Sequence, residues 1–64
     1  MAKVIARVVG GDLKEHQVST LGELKTKLDV SNYSALVNDE PVSDDSYEFF
    51  DNDVVELSPK VKGA

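Results

Sequence analysis

Val18-Ser19-Thr20-Leu21-Gly22-Glu23-Leu24 is the stretch on which the fold turns. Thr20 followed three residues later by Glu23 is a capping box: the Thr20 hydroxyl accepts from the Glu23 backbone N–H, and the Glu23 carboxylate reaches back to the N–H of Thr20. Leu21, Leu24 and Leu28 recur at helical spacing and mark one apolar face, with Lys25 and Lys27 pointing away from it. A helix of about two turns does not hold alone in water. It must lie against something, and the sequence on both sides supplies a sheet.

Upstream, Lys3 to Val9 reads as a strand rich in β-branched residues, with Val4, Ala6 and Val8 facing inward and Lys3, Ile5 and Arg7 outward. Gly10-Gly11-Asp12 is a turn, and Leu13 to Val18 returns as a second, more polar strand. Downstream, a loop from Asp29 to Ser34 leads into Ala35-Leu36-Val37. Asn38-Asp39 then turns the chain into Glu40-Pro41-Val42, which Pro41 confines to a sheet edge. Ser43 to Glu48 is a polar connection with room for one 3₁₀ turn. Asp51-Asn52-Asp53 turns the chain again, and Val54 to Leu57 forms the last strand, with Val55 and Leu57 on one face. Neighbours on a strand face opposite ways, so Phe49 is assigned to the core and Phe50 to the rim.

The order is ββαββ with a short extra strand at Pro41. One helix covering one face of a mixed four- to five-stranded sheet, in a chain this small, points to an α+β fold of the β-grasp (ubiquitin-like) type. First and last strands would lie side by side at its centre. Residues 1–58 form the expected domain and residues 59–64 a flexible C-terminal tail.

Composition narrows the chemistry. The chain has 64 residues, no cysteine and one histidine, His16. Thiolate nucleophiles and cysteine- or histidine-rich metal sites are therefore out of reach. A domain of this size buries only roughly 60% of the surface exposed by its unfolded chain, which leaves little interior for a catalytic cleft. The expectation is a non-enzyme without a cofactor, monomeric when free. His16 reads as a partly exposed structural residue. Asp51-Asn52-Asp53 lacks the glycine and glutamate that would complete a calcium loop.

The longest apolar run, Val4-Ile5-Ala6, stops at Arg7, so neither a membrane span nor an export signal is expected, and the cytoplasm is the default location. Net charge is −5, and from Asp39 to Glu56 there are eight acids and no Lys or Arg. That run is either a solvated face or an acidic docking surface for a basic partner; both disfavour nucleic acid.

Several motifs resemble the small ubiquitin-like sulfur carriers of thiamine and molybdopterin synthesis (ThiS/MoaD-like). Val37-Asn38-Asp39-Glu40-Pro41-Val42 is similar to that family's V-N-G-x-x-V hairpin. Phe49 to Pro59 resembles its L-x-D-G-D-x-V-x-L-x-P run, and Val18 to Leu24 its V-x-T-V-x-E-L helix start. Two family glycines are replaced by Asp39 and Asn52, residue types that accept positive φ next most readily after glycine. A third departure touches the chemistry: the carriers end in Gly-Gly, and this chain reads Gly63-Ala64.

The resemblance implies that a partner ATP-dependent adenylating (E1-like) enzyme converts the C-terminal carboxylate to an acyl-adenylate. Sulfur then displaces AMP to give a thiocarboxylate, for use by a sulfur-using synthase subunit. Glycine suits such a tail because it has no Cβ to obstruct close backbone approach. On this reading Gly63 and Ala64 are the activated residues. Pro59 ends the last strand, and Lys60, Val61 and Lys62 engage the partner. Ile5, Leu36 and Val54, the apolar residues of the outer sheet face near the root of the tail, form its contact patch. The alternative is a divergent β-grasp interaction module, such as a viral copy, that lacks the C-terminal chemistry.

Overall fold

Six elements follow one another in the computed structural model, which describes residues 1–60. They are β1 (Ala2–Val8), β2 (Lys14–Val18), α1 (Leu21–Leu28), β3 (Tyr33–Val37), β4 (Glu40–Val42) and β5 (Asp53–Pro59). The strands form one mixed sheet in the order β2-β1-β5-β3-β4. β1 and β5 run parallel, with Ala6 opposite Val55, and every other pairing is antiparallel. The first and last strands are thus neighbours, as expected, and the sheet has five strands. β4 forms an edge, where the missing N–H of Pro41 costs no ladder bond.

The core fills the space between α1 and the inner face of the sheet. Val4, Ala6, Val18, Leu21, Leu24, Val55 and Leu57 are almost wholly buried, with Ala35, Val37 and Phe49 close behind. Val8 and Leu28, expected inside, are only half-buried at its margin, because the β1–β2 turn and the last turn of the helix leave them open to water. Val30 joins the core from what reads as loop. Asp29 takes φ 59° and its N–H donates to Thr26, while the Val30 N–H donates to Lys25, a helix stop that folds the Val30 side chain inward.

Other local expectations are corrected. The Glu23 N–H donates to the Thr20 hydroxyl (3.3 Å), but the Glu23 carboxylate accepts from the N–H of Ser19 (2.7 Å), not Thr20. Lys25 does not point away: it is buried, and its ammonium pairs with Asp45 at 3.3 Å. The Asp44–Tyr47 segment draws it in by capping the helix. The N–H groups of Leu21 and Gly22, unpaired within the helix, donate to the carbonyls of Tyr47 and Asp45. A Cβ on Gly22 would stand 3.1 Å from Asp45, so glycine is what allows this approach. No 3₁₀ helix forms between Ser43 and Glu48; the chain makes a turn there and a single bridge between Thr20 and Glu48.

The strand limits also shift. β1 starts at Ala2 and stops at Val8, β2 starts at Lys14, and β5 runs on to Pro59. Pro59 stands in register with Tyr33, so it belongs to the sheet and does not begin a tail. No helix of the described residues is long and apolar enough to cross a membrane.

Candidate docking face and C-terminal segment

β5 organises the residues on which a functional reading depends. Its side chains alternate, sending Asp53, Val55 and Leu57 inward and Val54, Glu56 and Ser58 outward. On the outer face Ile5 stands beside Val54, and Leu36 stands opposite Glu56. Leu36 and Val54 are exposed, whereas Ile5 is half-buried. Arg7 and Glu56 form an ion pair across the same row. A shallow depression lined by Leu13, Leu36, Val54 and this pair runs over the face. The structure therefore brings the three apolar candidates together, with Leu36 opposite Glu56, roughly 10 Å along β5 from Pro59, and Ile5 and Val54 farther off. Val54 lies at the start of β5 and Pro59 at its end, five residues or ~17 Å away at strand rise.

The start of β5 is cross-braced. Asn38 Nδ2 donates to Asp53 Oδ1 (3.0 Å), and the Val54 N–H donates to Asn38 Oδ1 (3.0 Å). The Asn38 N–H donates to the Val54 carbonyl (2.7 Å), and the Phe50 N–H to Asp53 Oδ2 (2.9 Å). Asp53 is buried, and this set of donors is what makes its burial tolerable. Sequence reading assigned Asn38 and Asp53 to turns only. Their joint role is a contact between residues fifteen apart, and no periodicity announces it. The turns themselves adopt the conformation expected of them: Asn38, Asp39 and Asn52 have φ of 51°, 69° and 72°.

At the other end of β5, Ser34 Oγ donates to the Ser58 carbonyl (3.2 Å) and the Val9 N–H to the Leu57 carbonyl (2.8 Å). Pro59 follows in the sheet, and Lys60 continues beyond it, exposed. The remaining candidates, Val61, Lys62, Gly63 and Ala64, lie outside the described residues.

Two titratable groups stand out. His16 lies half-buried on β2 opposite Val4. Its pKa is lowered from the ordinary value, first by burial and then by the nearby charges of Lys27 and Lys14. Asp44 is held below the usual carboxylate range by hydrogen bonds from the Ser46 hydroxyl and the Ser46 N–H. Among the described residues no group of three or more His, Asp or Glu side chains is placed to hold a metal ion.

Comparison with known protein families and with curated proteins finds no match to this chain. What can be said of function rests on the residues and their arrangement.

Proposed function

We propose that this chain is a β-grasp, ubiquitin-like carrier or modifier whose C-terminal segment is adenylated and then thiocarboxylated by a partner enzyme. The observation that carries the reading is the backbone at Asp39 and Asn52. These are the two positions where the resembled sulfur carriers have glycine, and both have positive φ. Glycine is the residue such a conformation favours, and Asp and Asn are its usual substitutes. The side-by-side, parallel β1 and β5 give further support.

On this reading the carboxylate of Ala64 attacks the α-phosphorus of ATP in the partner and pyrophosphate leaves. A sulfur nucleophile held by the partner then displaces AMP. Lys60 starts the segment directly after Pro59, the last residue of a central strand, so the partner can grip the sheet and the segment together. Lys60 and Lys62 meet acids at the partner's channel mouth, and Gly63 permits close backbone approach. Ile5, Leu36 and Val54 supply apolar contact.

The test is an adenylation assay with an ATP-dependent activating enzyme, read by intact mass for sulfur replacing oxygen. Ala64→Gly should raise the yield, since it removes the one Cβ beside the reacting carboxyl, and Gly63→Ala should lower it. If Ala64→Gly gives neither adenylate nor thiocarboxylate, the carrier reading fails. A second reading then stands, that of an interaction module using the exposed outer face without C-terminal chemistry. The exposure of Leu36 and Val54 on the outer face is the observation that favours it.

A further inference from the structure

Phe49 and Phe50 are neighbours with opposite fates. Phe49 is 6% exposed in the core, and Phe50 is 73% exposed. Yet the backbone that carries Phe50 is fixed. Its N–H donates to Asp53 Oδ2 (2.9 Å), and its carbonyl accepts from the Asp53 N–H (3.2 Å). The following turn is tied to β1, since the Asn52 N–H donates to the Lys3 carbonyl (2.7 Å) and the Lys3 N–H to Asp51 Oδ1 (2.9 Å). The ring is thus held in water on a turn secured from both sides. A partner binding it would have little backbone entropy to remove.

Glu48 and Asp51 flank the ring and line one shallow depression with it, together with Met1, Ala2 and Ser19. The ion pairs among the described residues engage Glu56 and Asp45, and neither Glu48 nor Asp51 has a cationic partner there. Residues 39 to 56 contain no Lys or Arg, and the cations that border the depression, Lys3 and the Met1 ammonium, make no ion pair with either carboxylate. An exposed aromatic ring sharing a depression with two carboxylates that make no ion pair complements one side chain above others. A guanidinium can lie flat on the ring while its edge N–H groups reach a carboxylate, a combination that a lysine ammonium cannot reproduce.

We propose that the surface formed by Phe50, Glu48 and Asp51 docks an arginine-bearing, otherwise apolar segment of a protein partner. The surface lies where β1 and β5 begin, at the opposite end of β5 from Pro59, and stays open while the C-terminal segment is engaged. It does not depend on the C-terminal chemistry, and it holds whether or not Ala64 is ever activated.

The probe is a fluorescein-labelled peptide of alternating arginine and leucine, with lysine–leucine and glutamate–leucine peptides of equal length, each titrated against the 64-residue chain. Anisotropy reads affinity and amide shifts read location. The arginine peptide should bind several-fold more tightly than the lysine peptide, and the glutamate peptide not at all. Shifts should concentrate at Ala2, Lys3, Ser19 and 48 to 51. Phe50→Ser should weaken binding roughly tenfold, as loss of an aromatic anchor does. Phe50→Leu keeps an apolar side chain without a π face and should abolish the preference for arginine. Glu48→Gln should weaken binding by a smaller factor. An unchanged amide spectrum away from residue 50 checks that the variants fold. Absence of binding by the arginine peptide overturns the proposal. So does binding that ignores Phe50 and spreads over Asp39, Glu40 and Asp44, which is attraction between net charges alone.

Discussion

The inner and outer faces of the sheet are made from the same strands by alternate residues, and they differ in what each side chain is asked to do. Inside, Val4, Val55 and Leu57 are shut from water beneath α1, and each touches neighbours on every side. Outside, Leu36 and Val54 stay exposed, and an ion pair between Arg7 and Glu56 crosses the same surface. A residue type therefore says little about its role here, since leucine and valine occur on both faces. The face decides whether a substitution is felt as lost stability or as lost contact with a partner.

The sharpest test of that contrast is Leu24→Ala. The side chain is fully buried, and its truncation should cost about 2–5 kcal/mol in denaturant unfolding. That is a large share of a small domain's stability. A loss under about 0.5 kcal/mol would mean that α1 does not cover the inner face as described.

Asp53→Ala comes next. It removes the buried carboxylate that accepts from the Phe50 N–H and from Asn38 Nδ2, and should cost about 1.5–3 kcal/mol, the net worth of a hydrogen bond to a charged group. Chemical denaturation would measure it, and hydrogen exchange should show faster opening at Phe50 and Val54. A neutral result would make the brace at the start of β5 incidental.

Leu36→Lys tests the outer face. Stability should stay within about 0.5 kcal/mol of the parent, because the side chain already meets water and the new charge stands opposite Glu56. Unfolding by this substitution would make Leu36 a core residue and erase the distinction between the faces.

The smallest effect is expected at His16, on the margin between core and solvent. Its folded pKa lies below 6.5, so the unfolded chain takes up the proton first as pH falls. Stability from this group is complete above pH 6.5 and declines as pH drops from 6.5 toward the lower folded value. The group is only half-buried, so the slope should be shallow. His16→Gln should flatten it in unfolding curves between pH 7 and pH 5, and an unchanged slope would assign it elsewhere.

Periodicity and turn chemistry made much of the molecule legible from residue order. Leu21, Leu24 and Leu28 placed the helix, alternation placed Val4, Ala6, Val55 and Leu57 inside, and Pro41 placed an edge strand. Asp39 and Asn52 marked backbone turns that do take positive φ. Less of the candidate site was visible. Alternation identified Ile5, Leu36 and Val54 as outer-face residues, but their distance from Pro59 follows from register, which no single strand contains.

The sequence by itself determined where the helix starts, which strand residues face inward and where the backbone takes positive φ, because capping, side-chain alternation and φ preference act over a few residues. Tertiary structure alone decided the burial of Lys25 against Asp45 and the bond between Asn38 and Asp53. It also decided that β5 carries Pro59 within the sheet, opposite Tyr33. Each of these joins segments that are distant in sequence or turns a side chain against its helical period. A polar group goes inward only where the folded chain supplies a partner, and that partner's position exists only once the sheet and helix are assembled.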